Sequence, residues 1–309
     1  MLKFRGIVMR MCVLLSLAWF PSAAFGQSGH TAWGPWSFDW RVLGDAGLNL
    51  LNVYYNGELV IHKANLPVIR VRYDNDQCGP YQDLISSGLL IPVPFTGCGN
   101  TLVCQKSYTL HGRNWLEIGV LAKISQYLIY HVWYLSDDGY LYPRVHSAGL
   151  QCPSNGGWVD HHHHPYWRLD VDVGGAASDD VFVYDNNRPD QGWGPGWHRY
   201  PQELNDLKNP ATDRKWFVRD HVTGHGVWVL PESDAGADSF SNKDVGARLY
   251  SSPEDQPWPF GAWGHLGYDN GENIEEKDIV FWYIGHLFHA ASEGPFQYKG
   301  VGPQLKVER

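Results

Sequence analysis

Long helical periodicities are missing from this chain of 309 residues, and methionine is scarce, with three residues. The absence of helical periodicity argues against a helical bundle. The chain contains instead 15 Trp, 17 Tyr, 34 Gly and 19 Pro, which is typical of aromatic strands separated by turns. We therefore predict an all-β protein, and we find neither an internal repeat nor a linker that would divide residues 27–309 into two domains.

Basic residues are outnumbered, with 24 Lys and Arg against 33 Asp and Glu, so the formal charge is −9. A nucleic-acid partner is not expected for an acidic chain, because binding to phosphates requires a basic surface. An acidic surface attracts cationic small molecules such as amines, although it also keeps exported proteins soluble.

Apolar runs are short everywhere, and the most apolar one, Met11 to Phe20, lies near the N-terminus. Lys3, Arg5 and Arg10 precede it, and small residues follow it up to Gly26. This pattern is typical of a secretory signal peptide, and the run is too short to span a bilayer. We expect residues 1–26 to be a signal peptide cleaved near Gly26, and the protein to be secreted or periplasmic without a membrane anchor.

Cysteines are few, and none forms a Cys-x-x-Cys pair, which argues against a cysteine-bound zinc. Cys12 leaves with the signal peptide. An even number in an exported chain predicts two disulfides, but sequence alone leaves all three pairings open. The four remaining cysteines are Cys78, Cys98, Cys104 and Cys152.

Strands are predicted wherever period-two alternation lies between turn residues. Asn56-Gly57 and Asp138-Gly139 are typical hairpin turns. The stretch 174–213 is rich in Asp, Asn, Gly and Pro, so we predict long loops there with at most a short helix at 202–207. Strands are expected at residues 36–42, 48–55, 58–62, 68–73, 115–121, 127–135, 140–145, 215–219, 225–230, 247–250 and 279–284.

A run of four histidines begins at His161 and leads into a patterned strand. Residues two apart on a strand share a face, so His161 and His163 can offer imidazoles to one metal ion. A third ligand would complete the site, and either His286 or His289 could supply it. The alternatives are a solvated histidine cluster without a metal and a purification tag, which the internal position disfavours.

Two motifs around these histidines resemble the catalytic domain of the copper amine oxidases. That family carries a His-x-His strand that runs into Arg-Leu-Asp-x-Asp, and here Arg168 lies seven residues after His161. It also carries an Asp-Ile-Val-x-Trp strand with a third histidine seven residues after its Trp, and here His289 lies seven after Trp282. The resemblance spans Trp36 to about Val307 and implies a large antiparallel β-sandwich with Cu(II) on His161, His163 and His289. Zinc would accept the same three ligands.

The same resemblance implies a cofactor tyrosine, which copper and dioxygen convert to topaquinone in this family. Tyr127 is the candidate, because Trp133 and the Asp138-Gly139 turn follow it at the family's spacing. Its flanks depart from the family pattern Asn-Tyr-Asp/Glu-Tyr, since they read Gln126, Leu128 and Ile129. The alternative is an ordinary core tyrosine beside the metal.

Family members also use a carboxylate base in a Tyr-x-Asp sequence whose tyrosine gates the substrate channel. Tyr81 and Asp83 match this motif in order and type, although Asp74 or Asp76 could replace Asp83. Asp83 as an ordinary turn residue is the alternative.

A peripheral calcium site is a further implication of the resemblance. Asp170 and Asp172 lie two apart on one strand, and Asp278 precedes the strand that leads to His289. Hard oxygen ligands of this kind suit Ca²⁺. An acidic strand end without a cation is the alternative.

The activity that the resemblance implies is the oxidation of a primary amine by dioxygen to an aldehyde, with release of ammonia and hydrogen peroxide. The small N-terminal domains that usually precede the family's catalytic sandwich are not found in this sequence, and a homodimer is expected with reduced intersubunit arms. The alternative function is a copper-binding protein, or a different copper oxidase, on the same scaffold without topaquinone. An aromatic-rich sugar-binding sandwich would account for the tryptophans but not for the histidine spacing.

Overall fold

The computed structural model describes residues 26–42, 44, 46–74, 78–149, 152, 157–252, 270–294 and 299–309. The predicted signal peptide lies outside these residues except for Gly26, so it stays a prediction. No helix in the described ranges is long and apolar enough to cross a membrane. The helices that they contain are short 3-10 turns at Ser87–Leu89, Pro189–Gln191, Pro210–Thr212 and Ala291–Glu293.

Strands dominate the described residues. They are β1 (Ser28–Trp33), β2 (Trp36–Val42), β3 (Leu48–Tyr55), β4 (Glu58–Tyr73), β5 (Tyr81–Asp83), β6 (Leu90–Ile91), β7 (Val103–Leu110), β8 (Arg113–Ile124), β9 (Tyr127–Ser136), β10 (Tyr140–Ala148), β11 (His161–Val171), β12 (Asp179–Asp185), β13 (Gly196–Arg199), β14 (Leu204–Asp206), β15 (Lys215–Asp220), β16 (Gly226–Leu230), β17 (Val245–Leu249), β18 (Ile279–Ile284), β19 (Leu287–His289), β20 (Lys299–Val301) and β21 (Gln304–Glu308).

These strands form two large sheets whose ladders are antiparallel. The first sheet has the order β1-β2-β3-β4-β11-β18-β17-β14, with β5 beside β4 and β19 beside β11. The second sheet has the order β13-β12-β15-β16-β21-β10-β9-β8-β6, with β7 beside β8 and β20 beside β10. The predicted all-β fold, a large antiparallel β-sandwich, is thus confirmed.

Tryptophans join the two sheets through the core. The indole nitrogen of Trp36 in the first sheet donates to the carbonyl of Ser136 in the second at 2.7 Å. The indole nitrogen of Trp133 in the second sheet donates to the carbonyl of Leu48 in the first at 3.0 Å, and its ring packs edge-on against Trp167. Trp36 and Trp133 therefore each satisfy the indole N–H while they fill the core, which is how buried tryptophans are usually accommodated.

The hairpin predicted around Asn56-Gly57 is confirmed, but its second arm is longer than expected. β4 continues to Tyr73 because it pairs with β3 on one side and with β11 on the other. It is almost continuously buried from Ala64 onward, so the period-two alternation that marks a strand with one exposed face is lost. Pro67 lies where the ladder to β11 shifts register, a position that tolerates a residue without an N–H.

The prediction of long loops over 174–213 is wrong in part, because β12, β13 and β14 lie there. The helix expected at 202–207 is also wrong: Leu204–Asp206 is a strand that pairs with β17, with Leu204 opposite Ala247. Turn-forming residues dominate the local composition, but Val181 and Val183 are buried in the core. Tertiary packing here overrides local propensity.

Two disulfides hold the four described cysteines, Cys78 to Cys152 and Cys98 to Cys104. The first bond ties the segment ahead of β5 to the segment ahead of β11, across 74 residues of sequence. The second closes a loop of only 6 residues. A cross-link that closes a longer loop restricts the unfolded chain more strongly.

We therefore expect the Cys78→Ser, Cys152→Ser double variant to lose more stability than the Cys98→Ser, Cys104→Ser variant. Loop-closure entropy gives about 4 kcal/mol for the first pair and about 2 kcal/mol for the second. Urea unfolding of both variants measures the difference, and equal losses would contradict the entropic account.

Candidate functional site

The candidate metal ligands come together where β11 and β19 meet. His289 pairs directly with His161 across the two strands. The ring centroids of His161 and His163 lie 4.8 Å apart, and those of His161 and His289 lie 5.2 Å apart. All three side chains are fully buried between the sheets. His286, the other candidate for the third ligand, lies instead against His164 on the outer face of the first sheet.

Each of the three imidazoles has one nitrogen near a polar partner and one buried nitrogen without any. His161 Nδ1 lies 2.9 Å from the Val159 carbonyl, and His289 Nε2 lies 3.3 Å from the Gly294 carbonyl. His163 Nε2 lies 3.3 Å from Ser147 Oγ. Metal-binding histidines characteristically use one ring nitrogen for a fixing hydrogen bond and the other for the metal. The buried nitrogens without a hydrogen-bond partner, which are therefore the candidate metal-binding atoms, are His161 Nε2, His163 Nδ1 and His289 Nδ1.

Burial keeps these rings neutral. It lowers the pKa of His161 to about 4, lowers the pKa of His163 well below its usual value, and lowers the pKa of His289. A neutral imidazole has the lone pair that a metal needs. The three histidines do not form a group whose ligand atoms all lie within 4.8 Å of one another, so the rings would have to rotate inward to bind one ion.

Tyr127 projects from the second sheet onto this histidine cluster. Its ring centroid lies 5.1 Å from that of His163 and 5.5 Å from that of His161, both edge-on. Its hydroxyl lies 2.6 Å from the hydroxyl of Tyr73, whose ring stacks on His161 at 5.2 Å. Burial raises the pKa of Tyr127 to about 12, so the phenol is protonated at neutral pH.

Tyr73 was missed by the sequence analysis. Its position depends on the ladder between β4 and β11, in which Tyr73 is the direct partner of His161. The two residues are far apart in sequence, and the region around Tyr73 carries no motif. Only the pairing of the strands could have identified it.

Tyr81 and Asp83 lie on β5, one strand beyond β4. Tyr81 is opposite Val71, which is opposite His163 on the other side of β4. Residues opposite each other in antiparallel strands share a face, so this row continues the face that carries the histidines. The ring of Tyr81 packs edge-on against that of Tyr73 at 6.0 Å.

Burial raises the pKa of Asp83 to about 6. The charge of Asp83 also contributes to the raised pKa of Tyr127, after burial, so the two groups interact electrostatically. Asp74, one alternative to Asp83, lies 3.8 Å from His162 on the outer face. Asp76 lies outside the described residues.

Three carboxylates gather at the far end of β11. Asp170, Asp172 and Asp278 have ligand oxygens within 4.8 Å of one another. Burial, followed by the charges of Asp170 and Asp278, raises the pKa of Asp172 to about 7. Such a group of oxygen ligands can hold a hard cation.

A fourth carboxylate, Asp179, approaches this group from the second sheet and was not identified in the sequence. It is fully buried, and neither of its oxygens has a hydrogen-bond partner. Burial, and then the charge of Asp172, raises its pKa to about 9. The composition of 174–213 had predicted a loop here, so no strand pattern drew attention to Asp179.

Three solved structures compare closely with this fold. The copper-containing benzylamine oxidase from Hansenula polymorpha is 14% identical, with a TM-score of 0.70 over 90% of this chain and 59% of that chain. An amine oxidase from Aspergillus nidulans is 13% identical, with a TM-score of 0.72, and the match covers 90% of this chain and 51% of that chain. The lysyl oxidase from Pichia pastoris is 13% identical, with a TM-score of 0.69, and the match covers 90% of this chain and 51% of that chain.

The chain shares its fold with these amine oxidases. It spans about half the length of the solved structures that it matches. No protein-family model and no curated protein sequence matches it.

Gly149 limits the space around the ring of Tyr127. A Cβ atom at this position would lie 2.8 Å from Tyr127 Cδ1 and 2.9 Å from the carbonyl oxygen of Gln126, and the backbone φ is +134°. Glycine alone combines this close approach with this backbone conformation. Gly112 is a matched control, because its φ is +77° and nothing would lie within 4 Å of an added Cβ.

We expect Gly149→Ala to destabilise the protein by about 1–3 kcal/mol more than Gly112→Ala does, because only Gly149→Ala adds an overpacking cost to the backbone strain. The free energy of unfolding in urea measures both variants. Equal losses would show that Gly149 does not pack against Tyr127.

Proposed function

We propose that this protein is an exported copper-dependent oxidase of primary amines. The observation that supports it best is the cluster of three buried, neutral imidazoles, each with one unpartnered nitrogen, beside the ring of Tyr127. The donor set suits Cu(II), because imidazole nitrogens favour this ion and the remaining positions can take water.

His161, His163 and His289 would hold the copper. When bound, copper would supply the redox chemistry by which dioxygen oxidises a neighbouring tyrosine ring to a quinone, topaquinone. Tyr127 is the tyrosine for that reaction because its ring lies against both His161 and His163. A homodimer is part of the proposal, as the resemblance to the family implies.

Tyr73 would orient the ring of Tyr127. The hydroxyls are 2.6 Å apart, and Tyr73 is itself fixed by stacking on His161. A hydrogen bond to a fixed partner restricts the rotation of a buried ring. Tyr73 is therefore a positioning residue in this proposal.

Asp83 would remove the α-proton of a bound primary amine. A general base works best when its pKa is close to the working pH, and burial brings the pKa of Asp83 to about 6. At neutral pH the carboxylate is then ionised and still basic. Tyr81, on the same face of β5, would line the path by which the amine reaches it.

The second candidate function is copper binding without a quinone. The flanks of Tyr127, which are Gln126, Leu128 and Ile129, favour it. The close packing of Gly149 against the ring also favours it, because conversion to a quinone requires room for added oxygen atoms.

A test of Tyr127 separates the two functions. After prolonged aerobic incubation with excess copper, we expect the Tyr127 peptide to gain mass, phenylhydrazine to produce a visible hydrazone band, and primary amines to yield peroxide. Tyr127→Phe should abolish all three, whereas Tyr54→Phe, on an exposed side chain, should retain them. Mass spectrometry and a peroxide assay measure the outcome.

His163→Ala should also abolish the mass gain, because it removes a copper ligand. His162→Ala is the matched control, since its ring lies on the outer face against Phe288. An unmodified Tyr127 peptide together with no peroxide from several amines would overturn the oxidase proposal in favour of copper binding alone.

We further propose that Asp170, Asp172 and Asp278, with Asp179, hold a structural Ca²⁺ ion. The four carboxylates repel one another, and the buried guanidinium of Arg168, 3.3 Å from Asp170, offsets only one of their charges. A divalent cation would offset two more. The raised pKa values of Asp172 and Asp179 reflect that repulsion together with burial.

Calcium at 100 times its dissociation constant should stabilise the protein by about 2.7 kcal/mol, which corresponds to a rise in Tm of roughly 5–10 °C for a domain of this size. Asp172→Asn should lose this rise, whereas Asp213→Asn, on an exposed turn, should keep it. Thermal melts with calcium and with a chelator measure the shift, and identical melts for the wild type would count against the site.

A further inference from the structure

A second pair of histidines lies on the outer face of the first sheet, away from the site described above. His164 is on β11, and His286 lies between β18 and β19. Both side chains are fully buried. Their Nδ1 atoms are 2.7 Å apart, so the two imidazoles point at one place.

The opposite edge of each ring faces a carboxylate. His286 Nε2 lies 2.7 Å from Asp244 Oδ1, and His164 Nε2 lies 3.5 Å from Asp238 Oδ2. Neither contact has the angle of a hydrogen bond, since both Nε2 atoms remain without a hydrogen-bond partner. A carboxylate near the far nitrogen is a common neighbour of a metal-binding histidine, and here each carboxylate lies close to that nitrogen without hydrogen-bond geometry.

Both carboxylates are fixed in place by the backbone. Asp244 Oδ2 accepts a hydrogen bond from the Lys208 N–H at 2.8 Å. Asp238 Oδ1 accepts from the N–H groups of Phe240 at 2.7 Å and Ser241 at 2.8 Å. At 2.7 Å the two Nδ1 atoms share one proton, or, when the proton of each ring is on Nε2, they present two facing lone pairs that a cation can bind.

Charges of both signs surround the pair. The carboxylates are Asp234, Asp238 and Asp244. The cations are Lys208, Arg72 and Arg70, the last being the direct strand partner of His164. Asp238 and His162 keep part of their side chains exposed, which provides a route for an ion from solvent.

From this geometry we propose that His164 and His286 bind a second divalent transition-metal ion, such as Zn²⁺ or Cu²⁺. Imidazole suits both ions, and the remaining positions are for water. A tetrahedral ion at about 2.0–2.1 Å from each nitrogen needs the two nitrogens slightly farther apart than 2.7 Å, so a small opening of the rings is sufficient. The ordinary alternative is a single proton shared between the two rings.

The site is independent of the proposed copper centre. Side chains alternate along β11, so His163 and His164 project to opposite faces of the sheet. His162 shares the face of His164 and stacks on it at 5.8 Å, but its Nδ1 is directed toward Asp74 at 3.8 Å. His162 therefore serves as a matched control.

Anomalous diffraction from crystals of the wild-type protein grown with Zn²⁺ tests the proposal directly. We expect a peak between the Nδ1 atoms of His164 and His286, and the same peak in His162→Ala crystals. No peak at saturating zinc would overturn the proposal and leave the shared proton as the explanation.

Zinc stoichiometry in solution provides the second measurement. After gel filtration, His286→Ala and His164→Ala should each contain one equivalent of zinc less than the wild type, whereas His162→Ala should contain the same amount. A stoichiometry unchanged in both variants would overturn the proposal. If neither variant folds, as judged by its melting curve, the wild-type anomalous map alone decides.

Discussion

The register between β4 and β11 is the constraint on which the candidate site depends. This ladder sets Tyr73 beside His161, and the short ladder with β19 adds His289 to the same row. A shift of one residue would turn His161 and His163 to the outer face of the sheet. Burial of β4 specifies the register, and the register shift at Pro67 lies between Tyr166 and Arg168, beyond the run of histidines.

Local patterns predicted the parts of the site that depend on a single strand. His161 and His163 share a face because they lie two residues apart, and alternation alone gives that result. The resemblance to the copper amine oxidases was needed to prefer His289 over His286. Tyr73 and Asp179 could not be predicted, because their roles come from pairing between strands and from contact between sheets. The same reason explains the wrong helix at 202–207, where pairing with β17 overrides local propensity.

The run of four histidines that begins at His161 places its side chains in two different environments, one on each face of the first sheet. The inward pair lies against aromatic rings between the sheets, and one nitrogen of each ring has no hydrogen-bond partner among the protein groups. The outward side of the strand lies among carboxylates and the basic side chains Arg70, Arg72 and Lys208. Burial lowers the pKa of both His161 and His164 to about 4, so both rings are neutral at neutral pH. What distinguishes the two faces is therefore the neighbours of the rings and not their protonation.

All the candidate residues come from strands of the sandwich or from residues directly beside them. The histidines and Asp83 lie on the first sheet, Tyr127 and Asp179 lie on the second, and the core tryptophans fix the distance between the sheets. The half of the amine oxidases that lies outside the match is thus not needed to position these side chains. Because Tyr127 faces His163 across the core, the distance between the histidine cluster and the ring follows from the packing of the sheets. Its chemistry then depends on the space around the ring, which Gly149 and Tyr73 restrict from two sides.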